Sequence, residues 1–148
     1  MKIREVSTVT PLLITQLLEV WDASVRETHL FLSDEEIRNI AKHIPQALES
    51  IAHLVIAVTD EEVPVAFMGI EERKLEMLFI TPEYRGKGLG KELLHYGIET
   101  YSVNELGVNE QNPQAKGFYE HMGFEVVRRT ETDEQGNPYP ILYMKLLS

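Results

Sequence analysis

Leu75-Glu76-Met77-Leu78-Phe79-Ile80-Thr81-Pro82-Glu83-Tyr84-Arg85-Gly86-Lys87-Gly88-Leu89-Gly90-Lys91 is the stretch that decides how the rest of the chain is read. An apolar strand runs into a glycine-rich turn, and Leu89, Leu93, Tyr96 and Ile98 then continue at helical spacing to about Val103. Such a segment suits a phosphate group. Glycines remove the Cβ atoms that block close approach, and the helix N-terminus adds unpaired N–H donors and positive potential. Two better-known phosphate loops do not fit. A P-loop needs glycine at position 85 and Ser or Thr at 92, where this chain has Arg85 and Glu92. A dinucleotide fingerprint starting at Gly86 and Gly88 needs glycine at 91, which is Lys91. Taken alone, the loop also reads as a flexible turn.

Working outward, Lys2 to Val6 reads as a first strand. A helix follows from Pro11, with Ile14, Leu17, Leu18, Trp21 and Val25 on one face. Trp21 keeps that register and is assigned to the core. Ser33 and Glu36 form a capping-box pair, with Leu32 and Ile37 placed as a hydrophobic staple, and the second helix runs to Pro45. Leu54 to Val58 and Val63 to Ile70 read as a hairpin around Asp60-Glu61-Glu62, and Leu75 to Ile80 as the next strand. Leu106 to Asn109 is a short strand. Asn112-Pro113 opens a helix that stops at Gly123, and Phe124 to Thr132 pairs with Ile141 to Leu147. The order is β-α-α-β-β-β-α-β-α-β-β, a mixed α/β (α+β) fold in one domain over residues 1–148.

Composition narrows the function. Hydrophobic residues make up 43% and charged residues 26%, ordinary for a water-soluble fold. No apolar run is long enough to span a bilayer, and the first residues lack a secretory signal, so a cytoplasmic location is expected. The absence of cysteine excludes disulfides and thiolate chemistry. His43, His53, His95 and His121 have no mutual ligand spacing, and no metal is expected. A formal charge of −10 disfavours nucleic acid and favours cationic substrates. An anionic ligand then needs a local basic cluster, which Arg85, Lys87 and Lys91 supply.

Arg85-x-x-Gly88-x-Gly90 on a strand-loop-helix resembles the cofactor motif of the GNAT superfamily of N-acetyltransferases. Asn112-Pro113-Gln114-Ala115-Lys116-Gly117-Phe118-Tyr119-Glu120-His121-Met122-Gly123-Phe124 resembles that family's second motif, Asn-x-x-Ala-x-x-Phe-Tyr-x-x-x-Gly-Phe. The element order matches from end to end. Trp21 to Glu36 and the turn Gly136-Asn137-Pro138-Tyr139-Pro140 are similar to a bacterial subgroup of acetyltransferases whose substrate is undefined. The resemblance implies a central, mostly antiparallel sheet flanked by helices and acetyl-CoA as donor. It also implies transfer to a primary amine of a small molecule or peptide. Backbone N–H groups of Arg85, Gly86, Lys87, Gly88, Leu89, Gly90 and Lys91 would hold the pyrophosphate. The main chain of Leu78, Phe79 and Ile80 would pair with the pantetheine arm. Asn112 would bond that arm or fix the strand, and Tyr119 would sit beside the sulfur. Asn112 and Tyr119 are two helical turns apart and share a face.

A strand N–H of Phe79 or Ile80 is the expected oxyanion donor, and Tyr119 the expected general acid. The base is open. Where many relatives carry Glu, this chain reads Leu106-Gly107-Val108-Asn109. Glu76, a lone acid in an apolar strand, is one candidate, with burial raising its pKa; its alternative is a solvated strand end. His29 and a water relay are the others. The family places the first two helices, their connection and the last hairpin around the acceptor, which nominates His29, Phe31 and Tyr139 for substrate binding. A homodimer is compatible with the sequence. The missing Glu leaves a second reading, a non-catalytic module that binds acyl-CoA as a sensor or assembly partner.

Overall fold

Strand pairing begins at Lys2, and the last strand ends at Leu146; a computed structural model describes residues 1–147. The strands are β1 (Lys2–Glu5), β2 (His53–Val58), β3 (Pro64–Glu71), β4 (Lys74–Ile80), β5 (Glu105–Asn109), β6 (Phe124–Thr130) and β7 (Ile141–Leu146). They form one sheet in the order β1-β2-β3-β4-β5-β7-β6. Every described pairing is antiparallel except β4 with β5. The expected mostly antiparallel sheet is therefore present.

Helices cover both faces, which is why β2 and β3 are apolar at nearly every position instead of alternating. Val55 and Ala57 enter one core with Leu93 and Leu94 of α4 (Leu89–Tyr101) and Tyr119 of α5 (Pro113–His121). Leu54, Ile56 and Val58 enter the other with Leu17, Trp21 and Val25 of α1 (Pro11–Thr28). Trp21, 3% exposed, is core as expected.

Local signals set the helix ends. Thr10 caps α1, and the Ser33–Glu36 capping box opens α2 (Asp34–Ala41), with Leu32 and Ile37 in one cluster. One element departs from the sequence reading. A turn at Lys42 and His43 follows Ala41 and leads into a further helix, α3 (Ile44–Ser50), with Pro45 in its first turn. Proline lacks an N–H that a first turn leaves unbonded anyway, so Pro45 begins a helix and does not end one.

The middle of the sheet is its least regular part. Leu75 faces Ile70 and Met77 faces Gly69, so Glu76 is an extra residue on β4, a bulge. At the same point β4 leaves β5: their parallel pairing comprises Lys74 with Glu105 and Leu75 with Leu106. Beyond Leu75 the two strands splay apart.

Candidate active site

A cavity of about 430 Å³ occupies the splay and the turn that follows. A 3-10 turn at Pro82–Tyr84 leads the chain out of β4 to Gly86 and Gly88, whose φ angles are +75° and +83°. A Cβ at either glycine would meet no protein atom, so both positions are open. Gly88 is the N-cap of α4, with no side-chain cap bond. The first N–H groups of this helix are thus left without an intrahelical or capping partner. Arg85 and Lys91 line the same cavity, and Arg85 Nη2 donates to Gln114 Oε1 at 3.4 Å. Open glycines, free N–H groups and two cations together fit a pyrophosphate.

Two side chains of the sequence-predicted loop turn away from the cavity, and Gly90, which lines it, has a packing role as well. Lys87 Nζ lies 5.5 Å from the Tyr84 ring centre and does not line the cavity. The Leu89 side chain is buried in the core. At Gly90 a Cβ would come within 3.2 Å of Ile80 Cδ1 and 3.5 Å of Phe118 Cζ. Gly90 therefore lets α4 pack close to β4 and α5, a need separate from phosphate approach.

The β4 main chain shows which peptide groups are available. Thr81 N–H donates to Val65 O at 2.9 Å, which makes Thr81 and Val65 a hydrogen-bonded pair. In an antiparallel ladder such pairs alternate. With Phe79 facing Phe67, the Phe79 peptide is committed to β3. Leu78 and Ile80, facing Met68 and Ala66, turn their N–H and C=O groups to the splayed side. Between the two expected oxyanion donors, Ile80 is available and Phe79 is not, and Leu78 joins it.

The second motif closes the cavity. Asn112 caps α5, its Oδ1 accepting from Ala115 N–H at 3.3 Å, and its amide nitrogen is left over. Asn112 and Tyr119 line the cavity together, as their spacing predicts. Tyr119 is buried, with its ring edge-on to Phe118 and Phe124 at 5.2 and 6.1 Å. Burial pushes its phenol well above the usual tyrosine range. No buried side-chain oxygen or nitrogen among the described residues lacks a partner. The Tyr119 hydroxyl, bonded to no other described side chain, thus keeps access to the cavity.

The three proposed acceptor residues meet in one row, of which His29 lines the cavity and Phe31 and Tyr139 do not. The His29 and Phe31 rings are 5.5 Å apart and the Phe31 and Tyr139 rings 5.6 Å. This aromatic row joins the α1–α2 connection to the β6–β7 turn. His29 lines the main cavity and a smaller one of about 120 Å³ between β4 and β5. Burial lowers its pKa. Glu76 departs from the expectation of a buried carboxylate. It is exposed at the bulge, 3.4 Å from Lys74 Nζ, and lines smaller cavities but not the main one. The sequence reading passed over Ser24 and Thr28, which line the main cavity beside His29. Their i, i+4 spacing just before His29 at the end of an amphipathic helix is the signal that marks them.

Comparison with known proteins agrees with this geometry. The family model described as the acetyltransferase (GNAT) domain matches residues 22–146. Over 127 residues the chain is 41% identical to the peptidyl-lysine N-acetyltransferase YjaB of Salmonella typhimurium, covering 86% of this chain and 87% of that protein. The apo form of YjaB from Escherichia coli, solved in solution, superposes with a TM-score of 0.88 at 34% identity, covering 99% of this chain and 97% of that one. The PaiA N-acetyltransferase of Thermoplasma acidophilum, crystallised with coenzyme A, shares the fold at a TM-score of 0.70 and 23% identity, covering 98% and 99%. No described helix is long and apolar enough to cross a membrane. With its glycine turn, splayed strand and Tyr119-bearing helix in these places, the chain belongs to the acetyltransferase (GNAT) family and is an N-acetyltransferase.

Proposed function

We propose that this protein moves the acetyl group of acetyl-CoA to the ε-amine of a lysine in a peptide or protein. The observation that carries the donor half is the open β4 edge at Leu78 and Ile80. It lies in one cavity with the glycine turn at one end and Tyr119 at the other. Acetyl-CoA, when bound, supplies a thioester carbonyl open to attack by a neutral amine. Arg85, Lys91 and the first N–H groups of α4 hold the pyrophosphate, where charge-assisted bonds are strongest. Leu78 and Ile80 pair with the arm as an added strand would, and one of their N–H groups donates to the carbonyl oxygen. A donor so placed is worth about 3–4 kcal/mol to the reaction. Tyr119, held protonated by burial, donates to the sulfur and releases it.

Lysine as acceptor is supported by the activity named for the YjaB relative and by the far wall. The row His29–Phe31–Tyr139 offers apolar faces to a four-carbon stem. The chain's formal charge of −10 draws its ammonium in at longer range. The test is a panel of lysine peptides, free lysine, polyamines and aminoglycosides with acetyl-CoA, read by thiol release and mass spectrometry. Acetylated peptide lysine is expected. Turnover confined to small amines would replace the acceptor half, and no thiol release with any amine would defeat the proposal.

A further inference from the structure

The α1 terminus carries a hydrogen-bond chain that the acetyl-transfer reading does not use. Thr28 Oγ1 donates to Ser24 O at 2.8 Å, and His29 Nδ1 lies 2.8 Å from the same Thr28 oxygen. A hydroxyl has one hydrogen. Thr28 gives it to the Ser24 carbonyl, which can only accept, so the proton between Thr28 and His29 must come from the ring. Nδ1 therefore carries the hydrogen, and in the neutral imidazole Nε2 is left with a bare lone pair. We propose that His29 is the general base, taking the amine's proton at Nε2, with Thr28 the positioning residue that fixes this tautomer.

This inference rests on the acetyl-transfer reading and adds the group that reading lacks. His29 stands where the two cavities meet, beside the open edge of β4. Burial favours its neutral form, the form a base must begin in. The titratable and charged groups sharing its cavities are Tyr119 from α5, Glu76 from β4, and Arg85 and Lys91 across the main cavity. None of these four bonds to the imidazole; its polar partner is Thr28. Glu76 is occupied by Lys74.

The proton balance follows. The substrate ammonium loses its first proton to solvent. As the neutral nitrogen attacks, the N–C bond forms and the C–S bond breaks, its electron pair leaving on sulfur. Nε2 takes the second proton shed by nitrogen. The sulfur is protonated through the Tyr119 hydroxyl, which solvent reprotonates, and the imidazolium releases its proton to solvent.

Two measurements test this. Long-range ¹H–¹⁵N NMR on the free protein reads the His29 tautomer without turnover. A proton on Nδ1 is expected, with Thr28→Val moving population to Nε2–H and Thr28→Ser restoring the parent pattern. A parent imidazole protonated at Nε2 overturns the proposal. In kinetics with a lysine peptide, His29→Gln should lower kcat/KM about 100-fold and remove the lower acidic limb of its pH profile, leaving only the dependence set by the substrate's own ammonium. Its acetyl-CoA affinity by calorimetry should be unchanged, and Glu76→Gln should keep the limb. If the parent turns over and His29→Gln retains rate and limb, the base assignment falls alone and acetyl transfer stands. A parent that binds acetyl-CoA but acetylates no amine removes the acetyl-transfer reading, and this one with it.

Discussion

The two walls of the cavity are built from different materials. The donor wall is main chain: the peptide groups of Leu78 and Ile80, the uncapped N-terminus of α4, and two glycines in left-handed conformation. The acceptor wall is side chain: Ser24, Thr28 and His29 line it, and the tilted rings of Phe31 and Tyr139 continue from His29 beyond the lining. Peptide groups are the same in every protein, so a main-chain wall is copied wherever the backbone path is copied. A side-chain wall is rewritten by single substitutions. Changes on the donor wall should thus act on every amine alike, whereas changes on the acceptor wall should discriminate among amines.

The sharpest test is Tyr119→Phe, which removes one hydroxyl at the junction of the walls. Turnover should fall about 100-fold or more for every amine, with donor affinity by calorimetry kept. Because burial raises the phenol, the parent should lose no activity to tyrosine ionisation at pH values up to about 10. An alkaline limb below that, absent in Tyr119→Phe, would break the assignment. Next in size is Gly88→Val. A β-branched residue at φ +83° strains the turn by about 1–2 kcal/mol, and the new side chain fills the open space the phosphates need. Loss of one charge-assisted bond alone weakens binding about tenfold or more. Acetyl-CoA affinity should drop by at least that factor while the circular dichroism spectrum survives. Parent-like binding would move the phosphate site elsewhere.

Arg85→Ala should weaken the same binding several-fold at low salt and less at high salt, since an exposed charge is screened within about 10 Å at 0.1 M. A salt-independent loss would make Arg85 a structural partner of Gln114 and not a phosphate ligand. The smallest effect is on the acceptor side. Ser33→Ala removes the cap of α2 and should cost about 1 kcal/mol in urea denaturation. By loosening the connection that carries His29 and Phe31, it should raise KM for the peptide and leave donor affinity alone. If donor affinity moves equally, the walls are not separable.

The same division explains what could be read from the residues. The glycine turn and the Asn112–Tyr119 helix are local patterns, and both stand where their spacing put them. The capping box at Ser33 marked the start of its helix to the residue. Pro45 misled because one proline serves either end of a helix, and the tertiary path chose the start. Glu76 looked buried because its neighbours are apolar, but the bulge turns it outward, and a bulge arises from pairing between strands. Gly90 carries no mark distinguishing phosphate approach from packing against Phe118. That Phe79 bonds to β3 while Leu78 and Ile80 do not is a matter of register. The tautomer of His29 needed two distances that no sequence contains.

The parting of β4 from β5 has a mechanical consequence. The half-sheet β1–β4 and the half-sheet β5–β7–β6 are joined like the legs of a clothes-peg, clasped at Lys74–Leu75 and gaping beyond. A donor arm laid in the gap would be a splint across the whole molecule. At a hundredfold excess over its dissociation constant, a ligand adds about 2.7 kcal/mol to the fold that binds it. Survival of the chain against proteases would then rise and fall with the supply of activated acetyl groups, so that the enzyme's abundance itself would register that supply.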